Sequence, residues 1–360
     1  MIYKETYTFT SDFQTTLEIC DKNAHDLINQ LSSNESAIFL IDEHVFSLYF
    51  NDNSLKNPYY IIKTGEKNKT LSQARKMYNF LFFRNCTRNH TLIVIGGGLS
   101  MDLGAWVAGT FKRGVKLWLV PTTLLGIVDA SIGGKTAVNY QGIKNSIGQF
   151  YPAIKVIFCA DFLKTLSQKE YYNGISETCK MLLITKDYNK LDLILMNKAV
   201  NDNDIWIVAK KKLELCEQDL FDQGVRRTLN LGHTFAHMFE SVSRFKLSHG
   251  VAVAWGIHLA VQFSFVKKLI TEDEYQLIHD KIRVLLRMDP RFKNHLALIC
   301  NDDFVDQINE HFELLIRNDK KNDDRLNLVL FQNNLTVSIY NETNKNELRD
   351  FLLNKSWFLI

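Results

Sequence analysis

Residues 91–104 read Thr-Leu-Ile-Val-Ile-Gly-Gly-Gly-Leu-Ser-Met-Asp-Leu-Gly. The run Leu92–Ile95 has no polar alternation, which is the pattern of a strand covered on both faces. It enters three glycines and then small residues at helical spacing through Gly109. A strand, a glycine turn and a helix in that order can cradle a diphosphate, because glycine admits close backbone approach and the helix start offers unpaired N–H groups. The spacing is not GxGxxG, and a tight turn requiring positive φ is the plain structural alternative.

Working outward, Ala37–Ile41, Tyr59–Ile62 and Lys116–Val120 are further β-rich runs, and Gln73–Phe83 lies between two of them with apolar residues at helical intervals. Strands alternating with helices predict a parallel sheet. Val120-Pro-Thr-Thr-Leu-Leu closes one run and places Thr122 and Thr123 at the sheet edge where such folds bind ligands; helix capping by threonine is the alternative. Beyond about residue 165 helical periods dominate: Tyr171–Ile184, Asp204–Glu217, Thr228–Val242, Val251–Lys268 and Glu272–Leu286, then a strand-like pair and a last helix. The expected architecture is α/β: a Rossmann-like parallel-sheet domain over 1–165 and a mainly α-helical domain over 166–360.

The chain has 360 residues, 46% of them hydrophobic, enough for a sizeable core. Its 43 basic and 40 acidic residues leave a net charge of +3, which gives no footprint for nucleic acid or a membrane surface. Six scattered cysteines form no CxxC pair, no basic-then-apolar leader is read at the N-terminus, and no apolar stretch reaches the roughly 20 residues of a membrane span. A reducing, cytoplasmic location is expected.

From Asp129 the chain reads DASIGGKTAVNYQGIKN, a glycine-punctuated segment expected to be a loop in which Lys135, Lys144 and Asn145 hold a phosphate or carboxylate; a solvated loop is the bland reading. Further on, Arg226, Asn230, His233 and His237 recur at spacings of four, three and four, as one polar stripe on an expected helix. A single satisfied histidine explains that stripe poorly. His233 and His237 have the spacing of two ligands to one metal, but the glutamate of HExxH is absent, and a third ligand has to come from His249 or Glu177. Spacing alone leaves the ligand set open.

The ordered motifs GEKNKT, IGGGLSMDLG, FKRGVKLWLVPTTLL, VDASIGGKTAVN, GIKNSIGQF, GISETCK, LNLGHTFAH, LSHGVAVAWG and DKKN resemble the sugar phosphate cyclase family, and its 3-dehydroquinate synthase branch, over nearly the whole chain. The resemblance implies a lyase of the shikimate route to aromatic amino acids. It would turn 3-deoxy-D-arabino-heptulosonate 7-phosphate into 3-dehydroquinate and phosphate through transient oxidation by NAD, phosphate elimination, reduction and aldol closure. It implies Glu177, His233 and His249 as ligands of a divalent metal, zinc or alternatively cobalt, and His237 at the substrate phosphate. Around NAD it places Asp42, Glu66, Lys69, Gly97, Gly98, Asp102, Thr122, Thr123, Lys135, Lys144 and Thr165, with Glu170 as a further contributor. Lys135, Lys180, Lys212, Arg226, Asn230 and His237 become the catalytic set, and Arg113, Asp129, Lys144, Asn145 and Lys321 bind the phosphorylated sugar acid. An arginine at the position of Arg113 reaches the neighbouring subunit's site in the family, which implies a homodimer.

Several positions depart from the family pattern: Met101 stands before Asp102 in place of glycine, His44 replaces an asparagine, Asp222 replaces a glutamate, and GLAEVIKYGL becomes GISETCKMLL. Competing expectations are a sister cyclase acting on a non-carboxylated sugar phosphate, a polyol dehydrogenase that releases NADH, and a catalytically dead ligand-binding relative. Lys212, Arg226 and Asn230 favour the carboxylated substrate.

Overall fold

The computed structural model describes residues 2–10, 13–50, 55–141, 143–244, 246–318 and 326–354. Lys321 therefore lies outside the described residues. The chain forms two compact units, Met1–Gly174 with Asn201–Asp222, and Ile175–Val200 with Gln223–Ile360.

In the first unit, β1 (Tyr3–Thr10), β2 (Phe13–Cys20), β3 (Ala37–Asp42), β4 (Tyr59–Ile62), β5 (Thr91–Gly96), β6 (Lys116–Pro121) and β9 (Lys155–Cys159) make one sheet in the order β1-β2-β9-β6-β5-β3-β4. Only the β1–β2 pair is antiparallel. Its helices are α1 (Ala24–Ser32), α2 (Glu43–Tyr49), α3 (Leu71–Phe83) and α4 (Gly98–Thr110).

Both faces of the sheet are covered, which explains why β3 and β5 are apolar at every position. Leu27, Ile28 and Leu31 of α1 pack with Phe39, Ile41, Ile93 and Ile95 on one face. On the other, a Cβ at Gly104 of α4 would lie 2.6 Å from Val94, so glycine is what lets this helix sit against the strand. Each such Leu, Ile or Phe contributes roughly 1.5–3 kcal/mol by leaving water.

The segment expected as a loop after Asp129 is instead an antiparallel hairpin, β7 (Lys135–Tyr140) with β8 (Ile143–Phe150). Thr136, Ala137 and Val138 are buried in succession between the exposed Lys135 and Tyr140, so no period of two marks β7, and the glycines and polar residues of β8 hide its partner. The positive φ of Gly133 and Gly134 belongs to the turn that enters the hairpin.

The helical elements continue with α5 (Gln168–Ile184), α6 (Tyr188–Asn197), α7 (Asp202–Gln218), α8 (His233–Val242), α9 (His249–Val266), α10 (Glu272–Arg287), α11 (Phe292–Ile299), α12 (Asp302–Asn318) and α13 (Lys345–Leu353), with a hairpin of β10 (Leu328–Gln332) and β11 (Thr336–Tyr340). Helix α7, expected in the helical domain, belongs to the first unit, where Lys210 pairs with Glu5 of β1 at 3.0 Å. Helix α9 has the length and composition of a membrane span, but 78% of it is buried, and it forms the central core helix of the second unit.

Candidate active site

In the first unit the carboxyl ends of β3, β5 and β6 adjoin. Gly96 pairs with Pro121, and the Thr122 N–H donates to the Gly96 carbonyl at 2.8 Å, so the glycine turn and the threonine turn lie side by side. None of Gly96, Gly97 and Gly98 has positive φ, which removes the tight-turn explanation for them. Space is the reason instead. A Cβ at Gly96 would come within 2.8 Å of Asp42 and Ser100, and one at Gly97 within 3.1 Å of Thr123.

Asp42 caps α2 by accepting the His44 N–H at 3.0 Å, and its other oxygen accepts the Ser100 hydroxyl at 2.9 Å. Thr123 does act as a cap, accepting the Gly126 N–H at 3.0 Å, while the Thr122 side chain is buried. Met101 is 1% exposed and continues the first turn of α4, its N–H donating to the Gly97 carbonyl at 3.0 Å.

Behind this turn the buried Lys69 joins residues distant in sequence. Its ammonium donates to Asp102 at 2.5 Å and to the side-chain oxygen of Asn145 on β8. Burial raises the Asp102 carboxyl above its ordinary range, and the Lys69 charge opposes that rise. Glu66 accepts from Asn139 at 2.7 Å, which ties the same loop to β7. Thr165 shares a 3.0 Å hydrogen bond with Tyr49, while the Glu170 carboxylate accepts from Asn173 at 3.2 Å.

Further cations of this unit are held by carboxylates. Lys135 pairs with Asp222 at 2.5 Å, and the buried Lys212 pairs with the Asp129 carboxylate and donates to the Asp129 carbonyl at 2.7 Å. Lys144 lies half-buried on β8. Arg113 is exposed, in a turn where it and Lys112 both have positive φ.

The second unit gathers a carboxylate and two imidazoles. One ligand atom each of Glu177, His233 and His249 lies within 4.8 Å of the others. Glu177 Oε1 is 3.7 Å from His233 Nε2 and 3.3 Å from His249 Nε2. A tetrahedral ion with bonds of about 2.1 Å separates neighbouring donors by about 3.4 Å, so the two spacings from Glu177 are close to what a borderline divalent cation requires.

The far ring atoms suit the same tautomer. His233 Nδ1 lies 3.2 Å from the Leu231 carbonyl and His249 Nδ1 lies 3.5 Å from Glu240 Oε1, so both protons belong on Nδ1 and both Nε2 lone pairs face Glu177. Burial favours the neutral form of His249, but hydrogen bonds and charge from Glu177 and Glu240 outweigh it and push the imidazole up to about 10 in the metal-free protein. The other Glu177 oxygen takes the buried Lys180 ammonium at 2.5 Å. His237 is exposed on α8, its ring centre 5.8 Å from that of His233, and it is not part of the cluster.

The expected continuous stripe from Arg226 to His237 is broken. Arg226 and Asn230 lie in a 3-10 turn, Val225–Asn230, and Gly232 is left-handed at φ 75 before α8 begins at His233. The backbones of the two helices are in close contact at this break: a Cβ on Gly256 of α9 would meet the Gly232 carbonyl oxygen at 2.1 Å. Arg226 is 1% exposed, and Asn230 donates to the Arg227 carbonyl at 3.0 Å. Glu240 was not anticipated; its only sequence signal is a carboxylate two helical turns after His233.

Solved structures with this fold include 2-deoxy-scyllo-inosose synthase complexed with carbaglucose-6-phosphate, NAD+ and Co2+, at TM-score 0.75 and 20% identity, covering 98% of this chain and 99% of that one. Another is 2-epi-5-epi-valiolone synthase from Streptomyces hygroscopicus subsp. jinggangensis with NAD+ and Zn2+ bound, at TM-score 0.75 and 22% identity, covering 94% and 96%. The chain shares the fold of both synthases. The 3-dehydroquinate synthase N-terminal model matches residues 59–173 and the C-terminal model residues 174–322. The 3-dehydroquinate synthase of Clostridium tetani is 36% identical over 332 residues, 89% of this chain and 85% of that protein. The chain belongs to the 3-dehydroquinate synthase family.

Proposed function

We propose that the chain is an NAD- and divalent-metal-dependent carbon–oxygen lyase that converts 3-deoxy-D-arabino-heptulosonate 7-phosphate into 3-dehydroquinate and phosphate. The observation that carries the reading is the meeting of Glu177, His233 and His249 at donor spacings suited to one ion, within a chain of this family. When bound, NAD supplies a hydride acceptor and donor, and a zinc or cobalt ion supplies a Lewis acid.

The chain's own residues do the rest. Gly97 and Gly98 admit a diphosphate to the start of α4, and the Lys69–Asp102–Asn145 network keeps the adjoining surface rigid. Arg226 offers a planar fork to carboxylate or phosphate oxygens, with Asn230 and Lys180 as further donors. His237, one turn from a metal ligand but outside the cluster, holds a proton at the leaving phosphate oxygen. Lys135 and Lys212 add positive charge, each oriented by its carboxylate partner, Asp222 and Asp129. Lys144 and Lys321 are further substrate contacts. The exposed turn at Arg113 suits a homodimer in which this arginine serves the neighbouring subunit, and six cysteines outside any disulfide suit a reducing cytoplasm.

The test uses protein stripped by a chelator, then supplied with substrate and NAD with and without zinc or cobalt. Dehydroquinate should appear only with the metal restored. Turnover of sedoheptulose 7-phosphate, with none of the carboxylated substrate, would overturn the assignment in favour of a sister cyclase.

A further inference from the structure

We infer that Glu240 is the positioning residue of the metal centre: it fixes the His249 ring so that Nε2 points, with Glu177 and His233, at one ion. The inference rests on the metal reading above and extends it to a residue outside the ligand set. Glu240 is 4% exposed and stands on α8 among Met238, Phe239 and Val242, all buried. A carboxylate in such surroundings is costly unless it is engaged.

It shares a helix face with His233, two turns away, so one helix supplies a ligand and the group that orients another ligand. The His249 ring lies between two carboxylates, Glu177 Oε1 at 3.3 Å from Nε2 and Glu240 Oε1 at 3.5 Å from Nδ1. An Nδ1–H donated to Glu240 fixes the tautomer, stops the ring from flipping and makes Nε2 a stronger donor.

The two imidazoles are held differently. His233 relies on the Leu231 carbonyl, which no side-chain substitution removes, whereas His249 relies on a side chain. His249 is also the first residue of α9, where the positive end of the helix works against a nearby cation. The Glu240 charge offsets that.

The experiment titrates metal-free wild type, Glu240→Gln and Glu240→Leu with cobalt, reading the dissociation constant and the ligand-field spectrum at saturation, and repeats the affinity with zinc against a chromophoric chelator. Glu240→Leu should bind about 10- to 100-fold more weakly and show altered cobalt bands. Glu240→Gln keeps an acceptor and should recover part of both. A merely structural role would lower the melting temperature of the metal-free protein and leave the saturated cobalt spectrum as in wild type. Wild-type affinity and spectrum in both variants overturn the inference. Should Glu240→Leu not fold, the isosteric Glu240→Gln decides alone, since wild-type affinity and spectrum in that variant overturn the inference equally. Wild type that binds neither metal overturns the metal reading itself, and this inference with it.

Discussion

Replacing Gly256 by alanine tests how the helix contact builds the metal cluster. The added Cβ would lie 2.1 Å from the Gly232 carbonyl oxygen and 3.0 Å from the Ala236 N, both backbone atoms with no rotamer to yield. Restoring ordinary contact requires α8 and α9 to separate by about 1 Å, against a tolerance of about 0.2 Å in a metal–ligand bond. Because His233 opens α8 and His249 opens α9, that separation falls directly on the ligand spacing. Overpacking of this kind costs about 1–3 kcal/mol, a fall on the order of 5 °C in the melting temperature of the metal-free protein. Calorimetry reads the melting temperature, and competition with a chelator reads zinc affinity, which should fall by at least about tenfold. Gly256→Ala with unchanged melting and unchanged zinc affinity would refute the claim that this contact sets the geometry.

Glu177→Gln removes a metal ligand and strands the buried Lys180 ammonium, so metal content should collapse and stability should drop by about 3–5 kcal/mol in urea titrations; adding Lys180→Met should restore most of the stability and none of the metal. Gly98→Ala meets only Ala130, at an ordinary 3.5 Å, so melting of the free protein should hold while NAD affinity falls in calorimetric titration, if a diphosphate approaches that backbone. Lys69→Met removes the charge that opposes the rise of the Asp102 carboxyl. A carboxyl raised on folding contributes stability below its unfolded value near about 4 and loses it as pH rises through the folded value. Because the variant raises that value further, its deficit against wild type should widen from pH about 5 to pH about 8, as urea unfolding at the two pH values will show.

The parallel strands were legible because β3 and β5 are buried on both faces and therefore apolar throughout, and the order of motifs pointed to the family. What depends on contacts remote in sequence was not legible. A glycine between Leu231 and His233 reads equally as a helix interior or as a cap; in the structure it is a left-handed cap whose close neighbour, Gly256, lies 24 residues on. The hairpin from Lys135 to Phe150 was hidden because its outward positions carry glycine and polar residues. Periodicity identified α7 as a helix, yet periodicity cannot say which unit a helix joins. At the metal cluster, spacing paired His233 with His237 and left a third ligand open between His249 and Glu177, whereas the structure gathers Glu177, His233 and His249 from three separate helices.

The most direct test of the proposed chemistry follows inorganic phosphate and NADH absorbance together, with the heptulosonate phosphate in large excess over NAD and zinc or cobalt present. Oxidation and reduction cancel within one turnover in a cyclase, so many phosphates should be released per NAD while standing NADH stays near zero. One NADH accumulated for each product formed, or no phosphate released at all, would contradict it.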